Sequence, residues 1–156
     1  MTGPAATRAV AAVARTALGA LWIHEAYLKY HAGFGRSDIL LVAQSATANP
    51  RVPGPFRWFA TEVMGAAPGA FGVLVPLTEA ALGAGALLGV LPRATALAAA
   101  LLLCSYWLAD QLVVQYPVMV ALAAVVLAAG TSAGAWSPAA ALFTCRGRGR
   151  APSPSA

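Results

Sequence analysis

Apolar residues dominate from about Ala5 to Tyr30, interrupted by Arg8 and Arg15 before the dense part and by His24, Glu25 and Lys29 at its end. A cleaved signal peptide does not place three ionisable residues there or follow them with Tyr30-His31 in place of small residues. The run is read as a retained first helix over about 5–31. From Gly33 to about Pro68 the pattern is mixed. A short apolar piece, Ile39 to Ala43, precedes Asn49-Pro50-Arg51-Val52-Pro53-Gly54-Pro55, which cannot continue a helix. Phe56 to Met64 sets aromatics among charges and is too short to span, which suits a segment lying in a membrane interface. A connection of this length in a small protein is usually functional or a lid.

Three more apolar runs follow, over about 69–91, 94–112 and 117–136. The second span contains Pro76 and Glu79 and stops at Pro92-Arg93; the last starts after Gln115-Tyr116-Pro117, where proline suits a first helical turn. A spanning helix needs about 20 apolar residues. The pattern therefore predicts an all-α integral membrane protein, a bundle of four transmembrane helices with a long extracytoplasmic connection between helices 1 and 2 that contains short interfacial segments. Residues 1–137 form this domain. Residues 138–156, with Arg146, Arg148 and Arg150 followed by Pro152-Ser153-Pro154-Ser155, read as a basic, disordered cytoplasmic tail able to contact anionic lipid or a partner.

Composition sharpens the class. Of 156 residues, 60% are hydrophobic and 10% charged, with a mean hydropathy of +0.72, whereas about a quarter of a soluble domain is charged. The net charge of +5 does not indicate nucleic acid, because the basic residues are scattered over ends and loops without interleaved aromatics. Cys104 and Cys145 lie far apart with no Cys-x-x-Cys, and no His/Cys cluster offers a metal site. With four spans both termini share a side. That side collects Arg8, Arg15, Arg93, Arg146, Arg148 and Arg150 against Lys29, Arg36, Arg51 and Arg57 opposite, which places both termini in the cytoplasm of a multi-pass protein of a bacterial plasma membrane.

The few acids then acquire a depth. At about 1.5 Å per residue, Glu79 lies roughly 20 Å above Pro92, Asp110 roughly 25 Å above Arg93, and Glu25 about 6 Å below Lys29. All three fall in the outer half of the bilayer, along with Trp22, Tyr106 and Trp107. The inner halves are Ala, Leu, Val and Gly, and Gly83, Gly85, Ala86 and Gly89 allow close helix approach. Trp22, Glu25 and Lys29 lie within about 60° on one helical face, with Arg15 on the same stripe and His24 and His31 roughly 120° away. Each residue also has a structural reading. Glu25 and Lys29 neutralise one another at i, i+4, Asp110 ends a helix, and the aromatics form an interfacial belt. Glu79, deep in an apolar helix and one turn beyond Pro76, fits a structural reading least well.

These features resemble the DoxX family, and within it the branch similar to DoxD. The carriers are Leu18-Gly19-Ala20-Leu21-Trp22 leading to Glu25 and Lys29, then Glu79-Ala80-Ala81-Leu82-Gly83-Ala84-Gly85-Ala86-Leu87-Leu88-Gly89, followed by a short Leu-Pro-Arg turn. The resemblance covers residues 7 to 136. It implies a four-helix membrane subunit linked to quinone, sulfur or thiol redox chemistry, with Glu25, Lys29 and Glu79 as the matching residues, and no redox cysteine pair to carry over.

The expected function is thus a membrane subunit of a quinone-linked oxidoreductase or respiratory complex. Glu79, with Glu25 or Asp110 second, would act as acid or base toward the ring. Lys29, Trp22, His24, Tyr106 and Trp107 would form the quinone pocket. Quinone is the only cofactor indicated, since no haem, flavin or metal motif is present. The expected surroundings are membrane lipid and a larger membrane complex or a second copy of the chain. The alternative is a non-catalytic accessory subunit packed against such a complex. A solute transporter fits less well, because no internal repeat is evident.

Overall fold

The computed structural model describes residues 3–141, in which helices are joined by short turns and no strand occurs. Helix α1, Pro4–His31, starts with proline in its first turn and is followed by Gly33 at φ 70°. Helices α2, Arg36–Ala48, and α3, Gly54–Trp58, are followed by a π-helical segment, Phe59–Met64. Helix α4, Pro68–Leu88, leads through a tight turn to α5, Pro92–Leu108, and then α6, Gln115–Ala129, which passes into a 3₁₀ turn, Gly130–Gly134.

Several boundaries differ from those expected of the apolar pattern. Helix α4 stops at Leu88, because Gly89 adopts the left-handed conformation, φ 71°, that closes a helix C-terminus. Helix α5 ends at Leu108, short of 112, and Asp110 turns the chain at φ 57°. Gly130, φ 59°, ends α6 before 136. The mixed stretch after α1 is largely helical: Asp38 Oδ2 accepts the Gly35 N–H at 2.9 Å and starts α2 from its third position, while Asn49-Pro50 ends it. Pro76 is buried in α4 and the helix runs through it unbroken. The basic residues expected to meet lipid or a partner, Arg146, Arg148 and Arg150, lie outside the described residues.

Helix α1 is the hub, packed on α4 and α6, with α5 closing the ring between them. Its contact with α4 is backbone to backbone. A Cβ on Gly83 would fall 2.7 Å from Ile23 Cγ1 and 2.9 Å from the Ile23 nitrogen, and one on Gly19 would fall 3.0 Å from the Gly83 carbonyl oxygen. The core of this bundle includes Leu18, Trp22, Leu103, Tyr106, Met119 and Val126. A second, smaller core of Ile39, Ala46, Val52, Ala60 and Met64 holds α2, α3 and the π segment together as a lid. The lid rests on α4 where Gly72 meets Gly35, a site at which a Cβ would lie 2.7 Å from the Gly35 carbonyl carbon.

Polarity is inverted relative to a water-soluble domain. Arg15, Glu25 and Glu79 are buried, whereas Val13, Val73, Leu77, Leu101, Trp107 and Val118 are exposed. Two stretches, Pro68–Leu88 and Gln115–Ala141, are long and apolar enough to cross a membrane.

Candidate functional site

Four helices converge on a buried polar cluster. Lys29, near the end of α1, places Nζ 2.6 Å from Glu79 Oε1 on α4 and 3.4 Å from Glu25 Oε2 one turn earlier on α1. Tyr106 on α5 donates its hydroxyl to the same Glu79 oxygen at 2.5 Å. Glu25 in turn accepts from the Gln115 amide and, at 3.4 Å, from the Tyr116 hydroxyl, both in the first turn of α6. The spacing explains the convergence. Glu25 and Lys29 are one turn apart on the face of α1 turned to the bundle, and Gly19 and Gly83 bring α4 close enough for Glu79 to reach across.

Two carboxylates share one ammonium, so the fully ionised set carries one net negative charge. Glu79 is completely buried, and its Oε2 has no hydrogen-bond partner among the described residues; the same holds for the indole N–H of Trp22, whose ring centroid lies 6.4 Å from that of Tyr106. Tyr106 also lies 5.5 Å from Tyr116, and Lys29 Nζ is 5.3 Å from the Tyr106 ring centroid. Buried polar groups are normally paired. The unpaired oxygen marks Glu79 as a group with unused capacity to hold a proton or a hydrogen bond.

Beside the cluster, between the lid and helices α4 and α5, lies a cavity of about 420 Å³. Phe34, Phe56, Phe59 and Phe71 wall it, and Lys29 and Tyr106 stand at its polar end with Thr78, Ser105 and Gln111. The rings of Phe59 and Phe71 meet edge to face at 6.0 Å. Glu79 and Glu25 do not line this cavity. Glu79 touches two residues that do line it, Lys29 and Tyr106, and Glu25 touches Lys29.

The structure distributes the other sequence-derived candidates differently. Trp22 joins the cluster from inside the bundle. His24 is exposed, since it follows Trp22 by two residues and so projects from the far side of α1. Trp107 is 70% exposed for a similar reason: it neighbours Tyr106, and two successive helical residues point about 100° apart. Asp110 is diverted. Its carboxylate accepts from Asn49 Nδ2 at 2.8 Å and pairs with Arg51 at 3.0 Å, so it ties the lid to the end of α5. The lid is braced again by Arg57, whose guanidinium donates to the carbonyls of Ala46 and Val52. Arg15, on the Trp22 stripe, donates to the carbonyls of Ala86, Leu87 and Ala133 and so caps the end of α4.

The four phenylalanines and the Gln115–Glu25 contact are the members that sequence reasoning missed. Phe34, Phe56 and Phe59 had a signal in the aromatic residues of the connection, but nothing in that pattern told which face would turn inward, and Phe71 lies in the apolar run of α4.

Among the described residues no group of three or more metal-ligating side chains occurs. No family model, curated protein or solved structure matches the chain. The site must therefore be read from its own chemistry.

The Asp110 latch has a direct consequence. Arg51 is 66% exposed, so its ion pair contributes at most about 1 kcal/mol. Asp110→Ala is expected to raise amide hydrogen exchange over residues 49–52 severalfold while leaving the thermal midpoint of the bundle within about 2 °C. A large fall in the midpoint would show that the lid and the bundle unfold as one unit.

Proposed function

We propose that the chain is a DoxX-like membrane subunit of a quinone-linked oxidoreductase, and that the cavity under the lid receives the quinone ring. In this reading α1, α4, α5 and α6 cross a bacterial plasma membrane with both termini in the cytoplasm, and the lid lies on the outer side. What supports the membrane placement is the inverted polarity: Arg15 and Glu25 of α1 and Glu79 of α4 are buried in the bundle, while many large apolar side chains face outward. Helix α1, with 28 residues, is about 42 Å long, enough for a span by length, although its charged residues keep it out of the two stretches apolar enough to cross a membrane.

The single observation that carries the ligand class is the pairing of an aromatic-walled cavity with a polar end made of two donors, Lys29 Nζ and the Tyr106 hydroxyl, both bonded to one buried carboxylate. The volume lies within the roughly 300–1,000 Å³ of small-molecule sites. A flat ring fits between phenylalanine faces. Its carbonyl oxygen would accept a hydrogen bond from Lys29, whose ammonium has a third proton beyond those directed at Glu79 and Glu25, or from Tyr106 once a protonated Glu79 donates to the phenol oxygen and frees its single proton, and these two would relay protons to or from Glu79. Reduction of the ring takes up protons as well as electrons; the described chain supplies the proton-handling groups, and a partner of the larger complex supplies or accepts the electrons.

The test begins with purification in native lipid, followed by extraction and quinone analysis. About one quinone per chain is expected. Tyr106→Phe removes one donor without altering ring packing and should weaken binding of a short-chain quinone analogue about tenfold, the worth of one hydrogen bond of roughly 1.4 kcal/mol. A chain that retains no quinone, binds no analogue and co-purifies with a larger respiratory complex would overturn this reading in favour of an accessory subunit without its own site.

A further inference from the structure

At the other end of α4 from the lid is a second cavity, about 500 Å³ in volume, formed where the start of α1, the α4–α5 turn and the segment after α6 meet. Its chemistry is unlike that of the first. Arg8 and the hydroxyl-bearing residues Thr131, Ser132 and Ser137 line it, around the backbone of Gly89 and Gly134, with Leu91, Pro92 and three alanines completing the wall. The chain has five acidic residues, Glu25, Asp38, Glu62, Glu79 and Asp110, and none of them lines it. Arg8 forms no ion pair among the described residues.

A buried cation lies just beneath. Arg15 is 3% exposed, and its hydrogen bonds go to the carbonyls of Ala86, Leu87 and Ala133, with no carboxylate among its partners. Those carbonyls belong to helix ends and carry only partial negative charge. The guanidinium reaches the cavity floor: a Cβ on Gly89 would lie 3.4 Å from Arg15 Nη1, with the Ser137 side chain against the same position. Ser137 is itself buried, and its Oγ accepts the Ala140 N–H at 3.1 Å through a lone pair, so this bond does not use the hydroxyl proton. Buried charges are ordinarily compensated. Here the compensating anion is not supplied by any acidic side chain of the protein.

We propose that this cavity binds a phosphate group, carried by an anionic phospholipid or free in solution. The Arg8 guanidinium matches two phosphate oxygens in a fork, the Thr131 and Ser132 hydroxyls donate to the remainder, and Arg15 beneath the floor adds a positive field. The site is independent of the quinone reading, since it lies at the opposite end of α4 and shares no lining residue with the cavity under the lid.

Native mass spectrometry of the full-length protein in neutral detergent tests it, with phosphatidylglycerol, phosphatidylcholine and inorganic phosphate as probes. One phosphatidylglycerol per chain is expected, bound about fivefold or more tightly than phosphatidylcholine. Arg8→Gln combined with Ser132→Ala should remove that preference, whereas Arg93→Gln, an exposed charge at the same end but outside the cavity, should keep it. Competition by inorganic phosphate assigns recognition to the phosphate group itself, and phosphatidylglycerol binding without such competition assigns it to the lipid. Equal binding of the two lipids, or equal losses in Arg93→Gln and in the Arg8→Gln/Ser132→Ala variant, would overturn the proposal.

Discussion

Lys29→Met should destabilise the bundle by about 3–5 kcal/mol, the penalty for removing one partner of a buried ion pair and leaving the other uncompensated. The size follows from how much Lys29 holds. Its ammonium is the only cation touching either carboxylate of the cluster among the described residues, at 2.6 Å from Glu79 and 3.4 Å from Glu25. Glu79 has no access to solvent, so water cannot take over the role. Methionine preserves the length and apolar stem of the side chain, which isolates the charge from the packing. Neutralising the other partner should then repair the damage. The Lys29→Met/Glu79→Gln double variant is expected to recover at least half of the loss, with an interaction energy above about 1 kcal/mol in a double-mutant cycle. Unfolding titrations in mixed micelles give the four free energies. Losses that simply add would mean that Lys29 and Glu79 contribute separately and that the cluster is not a unit.

The second large effect is steric. Gly83→Ala is expected to cost about 1–3 kcal/mol, although alanine is the better helix former by nearly 1 kcal/mol. The added methyl meets Ile23 at 2.7 Å and, more decisively, the Ile23 backbone nitrogen at 2.9 Å. The isoleucine side chain can rotate outward, but the main chain of α1 can yield only by moving away from α4. That movement also stretches the Lys29–Glu79 pair one helical turn along, so Gly83→Ala should lose affinity for a quinone analogue as well as stability. Gly69 is the control in the same helix, because a Cβ there meets nothing within 4 Å. Gly69→Ala should leave both quantities unchanged. If Gly83→Ala is as harmless as Gly69→Ala, α1 and α4 are not held at the separation described.

Part of this site was legible in the sequence because helical phase is a strong constraint. A stripe of Trp22, Glu25 and Lys29 within thirteen apolar residues of Arg15 had to face inward if the helix entered lipid, and an isolated Glu79 in an apolar helix had to find a partner. The small residues Gly83, Gly85, Ala86 and Gly89 announced a close helix approach without naming the partner, and Gly83 is the one that meets the α1 backbone. Phase was also the key where reading by depth alone misled. His24 and Trp107 share a height with the cluster but sit about 100° round their helices from Glu25 and Tyr106.

Other features depend on contacts that no local pattern encodes. Asp110 meets Asn49 and Arg51 across some sixty positions of chain, and Gln115 reaches Glu25 across ninety. The sequence reads the connection after α1 as a long loop with short interfacial segments, because prolines punctuate it. Those prolines separate short helices instead, and the second core under them arises only when Ile39, Val52 and Met64 meet.

The lid is one continuous stretch of chain, α2 through the π segment, inserted between α1 and α4 and carrying its own small core. It contributes Ile39, Val42, Phe56, Phe59 and Met64 to the cavity wall, while Lys29, Tyr106 and the carboxylates behind them belong to the long helices. If the cavity is the binding site proposed above, much of its wall and its charged cluster are encoded in separate stretches of the gene. On that reading, a substitution between positions 36 and 64 would alter what the cavity admits while leaving Lys29, Glu79 and Tyr106 in place.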